Sequence, residues 1–230
     1  MTLLKFITNL LEPFSYLLYL IGILIHYRHT RWRSQKWLGV YYFLATILMI
    51  ITTNIFSDET TNNIWAYNVS AVVAAVCIGV YFHQLLQSNL KKWVVVCLLS
   101  GFLLYAFIKN IIMKDFGLFD SMGYSYVSAS VAVYVMMYFH QLLSHVTDTN
   151  LFRQFNFWLA SGYLIYFMGS FIIFLSYYYF TKKILSTYTS EERDLLTTLW
   201  GVHNMLLFVS ALSLLLVSLW LTYQKKSASS

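Results

Sequence analysis

Charge is what this sequence has least of. Only 10% of its 230 residues are Asp, Glu, Lys or Arg, against about 25% in soluble proteins, while 59% are hydrophobic. That composition excludes an ordinary soluble domain and implies an integral membrane protein. Proline is limited to Pro13, so the later apolar runs contain no proline breaks. Cysteine is limited to Cys77 and Cys97, both inside apolar runs. A free thiol there behaves as a small hydrophobe, which leaves no disulfide framework and no reading of redox compartment. The start lacks the basic segment, short apolar core and small-residue cleavage site of a signal peptide, so the first apolar run is expected to stay as a helix. No run alternates as a membrane barrel strand would. The formal charge of +6 does not argue for nucleic acid, because membrane proteins collect Lys and Arg on the cytoplasmic side for reasons of topology.

What is present is a repeat. Tyr81-Phe82-His83-Gln84-Leu85-Leu86 returns as Tyr138-Phe139-His140-Gln141-Leu142-Leu143, a spacing of 57 residues, and 57 before His83 stands His26. Trp37, Trp93 and Trp158 each open an apolar run, and Ser100-Gly101-Phe102-Leu103-Leu104-Tyr105 parallels Ser161-Gly162-Tyr163-Leu164-Ile165-Tyr166. A fixed period of this size marks repeated supersecondary units. The expected organisation is a single transmembrane domain of three two-helix units, roughly 10–64, 65–122 and 123–195, followed by an extra helix over 196–223.

A spanning helix needs about 20 mostly apolar residues. Seven runs meet that length, near 10–26, 37–56, 65–86, 93–113, 123–143, 155–180 and 196–223. Backbone groups in lipid must be satisfied within each segment, so the expected fold is all-α and polytopic. Pro13 is expected in the first turn of the first helix, where its missing N–H does least harm. Thr189 with Glu192 reads as a capping box that starts the last helix near Ser190. The connections holding Arg28, Arg31, Arg33 and Lys36, then Lys91 and Lys92, and the tail with Lys225 and Lys226, are basic; the opposite ones hold most of the acids. By the positive-inside rule the N-terminus is outside and the C-terminus inside. Connections this short leave no room for a soluble catalytic or nucleotide-binding domain.

Two constellations invite chemistry. His26, His83 and His140 fall at one depth near the cytoplasmic ends, where imidazoles could hold a metal ion or haem; equally, each is the interfacial anchor that ends a span. No cofactor is the favoured expectation. Toward the outside, Asn54, Tyr67, Asn68, Lys109, Asn110, His203 and Asn204 share a level, with Ser170 somewhat deeper. Polar groups at membrane depth are expensive and mark sites or pathways, so these eight form a candidate ligand pocket ringed by Tyr105, Tyr166 and Trp200. The competing reading has Lys109 snorkelling and the asparagines bonding between helices. Arg28, Arg31, Arg33, Lys91 and Lys92 form the candidate docking face for an inner partner. Asn68-Val69-Ser70 matches a glycosylation sequon but opens a membrane helix, so it is read as helix chemistry.

Known seven-helix chemistries find no match. The last helix has no lysine for retinal, no aspartate lies within a span as an intramembrane aspartyl protease requires, and neither a Gly-x-Ser-x-Gly elbow nor a His-Glu-x-x-His zinc motif occurs. No enzymatic activity is expected.

Tyr138-Phe139-His140-Gln141-Leu142-Leu143, then Phe157-Trp158-Leu159-Ala160-Ser161-Gly162-Tyr163-Leu164-Ile165-Tyr166 with Gly169-Ser170, then Trp200-Gly201-Val202-His203-Asn204, carry a resemblance over about residues 65–223. In these motifs the chain resembles a group of small, largely uncharacterised bacterial seven-helix membrane proteins that often accompany sensor histidine kinases. The resemblance implies the bacterial cytoplasmic membrane and a kinase as partner, and brings no catalytic residues with it. The expected function is a membrane sensor or signal-transducing subunit acting through a membrane or cytoplasmic protein. The alternatives are a small-solute transporter, an oligomeric channel built from copies of the chain, and a haem- or metal-binding membrane protein.

Overall fold

The computed structural model describes residues 3–30, 34–55, 64–113, 119–144, 151–183 and 190–227, with side chains described over 10–27, 34–51, 64–113, 119–144, 151–180 and 194–224. These residues form seven α-helices and no strand. In chain order they are α1 (Leu3–Thr30), α2 (Gln35–Ile55), α3 (Ile64–Leu85), α4 (Asn89–Phe107), α5 (Ser121–Ser144), α6 (Phe155–Lys183) and α7 (Ser190–Ser227). A π-helical turn, Ile108–Ile112, continues α4, and a 3-10 turn, Leu151–Arg153, precedes α6. Among the described residues, six of the helices are long and apolar enough to cross a membrane. The described residues are thus all-helical, with helices of a length and composition suited to a membrane.

Each helix grows from an apolar run, and most ends fall within a few residues of the run. Two differ for a physical reason. α1 begins at Leu3, so Pro13 lies well inside it rather than in its first turn. The apolar run starts only at Leu10 because Lys5, Thr8 and Asn9 precede it, yet none of these residues breaks a helix as glycine or proline would, and the helix continues through them. The cost of Pro13 is one missing i to i−4 bond within a long helix. At the other end of the chain, α7 starts at Ser190 as the cap pattern requires, although Thr189 itself lies outside the described residues. Its 38 residues extend about 57 Å at 1.5 Å per residue, well beyond a hydrocarbon core of about 30 Å.

The helices close a circuit. α1 packs on α7 and α2, α2 on α3, α3 on α5, α5 on α6 and α6 on α7, while α4 leans on α3 and α5 from outside. Sequence explains who is central. The buried face of α3 is built of Ala66, Ser70, Ala71, Ala74, Ala75, Cys77 and Gly79, small side chains that let neighbouring backbones come close. By contrast α4 turns Leu90, Trp93, Leu103, Leu104 and Phe107 outward, where lipid can cover them.

Close approach also fixes α7. A Cβ on Gly22 would sit 3.4 Å from the Leu215 Cα, and one on Gly162 would sit 2.7 Å from the Ser210 Oγ. At Gly162 even a methyl group would press on α7, whereas at Gly22 it would sit at ordinary contact distance.

The two copies of the six-residue motif are not placed alike. Phe82 is wholly buried and Phe139 only partly; Gln84 is exposed, whereas Gln141 is buried and accepts the Gln87 backbone N–H at 2.8 Å. The letters recur, but the environments do not.

Candidate functional site

The acidic end of the bundle holds an ion pair. Asp120 is the residue just before α5, and its Oδ1 accepts the Gly123 backbone N–H at 2.9 Å. That is the bond an N-cap aspartate makes to the third residue of its helix, with the helix dipole adding to the attraction. The same oxygen accepts Lys109 Nζ at 2.7 Å and the Tyr105 hydroxyl at 2.8 Å. Asn68 on α3 completes the set by accepting the Asp120 backbone N–H at 3.3 Å. Side-chain exposure is 17% for Lys109 and 7% for Asp120, so the pair is largely withdrawn from solvent. Lys109 and Asn110 both belong to the π-helical turn. Such turns shift the register by one residue and recur at functional sites. Asn110 is buried, and its Oδ1 has no hydrogen-bond partner among the described residues.

A second group centres on His203 of α7, which is buried. Ser170 Oγ of α6 lies 3.0 Å from its Nδ1 and the Tyr166 hydroxyl 3.4 Å from its Nε2. Phe174, Tyr166 and Trp200 surround the imidazole at ring distances of 4.8, 5.3 and 5.4 Å. Asn204, the next residue, is fully buried.

Between the two groups lies Glu12 of α1, a carboxyl inside an apolar helix with 5% exposure. The Tyr67 hydroxyl donates to its Oε2 at 3.3 Å, and the Tyr124 hydroxyl donates to the Tyr67 carbonyl at 2.8 Å. Phe119, next to Asp120, is the common wall: its ring meets Tyr67, Tyr124, Phe174 and Trp200 within 6.3 Å. One contiguous region therefore joins α1, α3, α4, α5, α6 and α7.

Below it a column of tyrosines fills the bundle. Tyr16 stands 6.2 Å from Tyr41 and 6.1 Å from Tyr42. Tyr42 stacks on Tyr19 at 4.4 Å and donates to the Tyr163 hydroxyl at 2.9 Å, while Tyr19 bonds Ser210. Phe82 separates Tyr163 from Tyr81, whose hydroxyl donates to Asn156 Oδ1 at 3.1 Å. Gln35 Nε2 shares that acceptor at 3.4 Å, which brings the column to the basic end of the bundle. From Tyr67 to Tyr81 along α3 is about 21 Å.

Of the residues singled out in the sequence, Tyr67, Asn68, Lys109, Ser170 and His203 fall within this region with the partners given, and Asn110 and Asn204 are buried on the same elements. The side chain of Asn54 lies outside the described residues. Lys109 does not snorkel to a free surface but pairs with Asp120. Sequence reasoning did not single out Glu12, Asp120 or Phe119. The signal for Glu12 was present as a lone carboxyl in the first apolar run; Asp120 looked like one more loop acid.

At the basic end, His26 stacks on Phe155 at 4.0 Å, His83 is half-buried, and His140 Nδ1 lies 3.2 Å from Lys91 Nζ. Among the described residues no three His, Cys, Asp or Glu side chains come together as a metal site would require. Lys91 also donates to the Met137 carbonyl at 3.0 Å, and Lys92 is half-buried. The Arg28 side chain, Arg31 and Arg33 lie outside the described residues. No known protein family, curated protein or solved structure matches this chain.

Proposed function

We propose that the chain is a sensor or signal-transducing subunit of a bacterial cytoplasmic membrane, crossing it seven times with its N-terminus outside, and that its outer polar region receives the stimulus. The observation behind this reading is the burial of Glu12, His203 and the Lys109–Asp120 pair in one region fed by six helices. Groups of that kind are costly at membrane depth and are retained where they work. The tyrosine column gives the region a physical route to the basic end, since any change in the packing of α1 or α7 there must be taken up by Tyr19, Tyr42 and Tyr163. A partner that docks on the basic face would read that change; a histidine kinase fits the resemblance. Signalling of this type requires two helix arrangements with different affinity for the stimulus. Asn68→Ala and Asn204→Ala are expected to change the partner's output while the helices stay folded. Unchanged output in both variants removes the region from the account.

A second reading is favoured by Glu12 alone, because a buried carboxyl on a path of hydroxyls is also what proton-coupled passage uses. Liposomes holding the purified chain and a pH-sensitive dye separate the two. The sensor reading expects no proton movement, whereas a flux abolished by Glu12→Gln establishes transport.

A further inference from the structure

The outer surface of α5 and α6 carries a trough remote from the region above. Its volume is about 650 Å³. Ala129, Ala132 and Val133 of α5 form its floor, and Met136, Met168 and Phe171 flank it. These are the small and the adaptable side chains, the combination that leaves a groove and lets it fit a flexible chain. From Ala129 to His140 the stripe runs about 16 Å along α5, close to half of a hydrocarbon core of about 30 Å. The trough is therefore one leaflet deep. It is closed at the basic end by Lys91 and His140, which lie 3.2 Å apart. Lys91 has no carboxylate partner among the described residues, where the one ion pair is Lys109 with Asp120.

We propose that this trough is a binding site for one anionic phospholipid of the leaflet on the basic side, with an acyl chain along Ala129–Met136 and the phosphate at Lys91 and His140. The charge argument selects the headgroup. An apolar groove would take any chain, but a cation lacking a counter-charge at the mouth, beside an imidazole able to donate a hydrogen bond, favours a phosphate that carries net negative charge. Basic pockets between membrane helices hold anionic headgroups for this reason. The length argument selects the source, since a free phosphate would leave the trough unfilled.

The test is native mass spectrometry of the full chain, delipidated and then exposed to detergent-solubilised phosphatidylglycerol or phosphatidylcholine of equal chain length. Phosphatidylglycerol should be retained with roughly a fivefold preference, the effect of about one cation on an anionic headgroup, and inorganic phosphate should not compete. Lys91→Gln should erase the preference and Lys91→Arg should keep it. Val133→Trp, which fills the trough and leaves the headgroup residues alone, should lower retention of both lipids. Equal retention of the two lipids by the unaltered chain overturns the proposal, as does a preference that survives Lys91→Gln or a retention that Val133→Trp leaves undiminished. If Lys91→Gln loses its helical circular dichroism, the Val133→Trp arm decides.

Discussion

Asp120 shows how much one oxygen can be asked to do. Its Oδ1 receives a helix-capping N–H, a phenol and an ammonium, so removal of its charge leaves Lys109 buried without compensation. Breaking a withdrawn pair from one side costs about 3–5 kcal/mol, whereas removing both charges costs far less. Asp120→Asn should therefore destabilise strongly even though asparagine is a good cap, and adding Lys109→Met should recover much of the loss. A double-mutant cycle by chemical unfolding in detergent measures the coupling; additive losses mean that the pair is not the source of the cost. Glu12 is a different kind of residue. Glu12→Gln keeps an acceptor for Tyr67, so stability should change by only about 1 kcal/mol, while any function that uses the carboxyl is lost. Sequence made Glu12 visible as a lone acid in an apolar run, but its partner Tyr67 stands 55 residues away, a pairing no local pattern records.

Helices were the most legible level of this chain, because in lipid an apolar run of sufficient length has no alternative to forming one. Their ends were less legible where apolarity and helicity part company. α1 passes through Lys5, Thr8 and Asn9 before it reaches its apolar stretch, which turns Pro13 from a first-turn residue into an interior one. The π-helical turn over Ile108–Ile112 had no signal in its letters beyond the polar Lys109 and Asn110, which did not reveal the change of helix type. The contact between α6 and α7 tests the packing directly. Gly162→Ala places a methyl group 2.7 Å from the Ser210 Oγ, and Ser210 holds Tyr19. The overpacking should cost about 1–3 kcal/mol, read as a lower unfolding midpoint. Gly39, with nothing within 4 Å of its added Cβ, should accept alanine without loss and serves as the control.

At the scale of the molecule, α1 and α7 seal a circuit of which α3 is a member, and α4 stands outside it. This arrangement gathers polar groups from six helices at one end and basic groups at the other. The spacing of the apolar runs puts Lys109, Asn68 and His203 at one level and Ser170 somewhat deeper, but which of them meet depends on the circuit order, which the small residues on α3 and Gly162 against α7 accommodate. The orientation proposed above rests on the basic connections and can be tested. With Cys97 replaced by serine, a cysteine at the exposed Ser88 between α3 and α4 should react with an impermeant maleimide only after the cytoplasmic side is opened. Labelling of intact cells would reverse the topology and move the polar region to the inside.

The function proposed above has this molecule receive at one end and act through another protein at the other. Affinity purification of the tagged chain from its native membrane in mild detergent, with quantitative mass spectrometry and an absorption spectrum of the same eluate, tests it most directly. The account predicts a stoichiometric partner that carries a cytoplasmic output domain, and a colourless sample. A chain that emerges alone or only with copies of itself, and that moves solute or protons in liposomes, would contradict it.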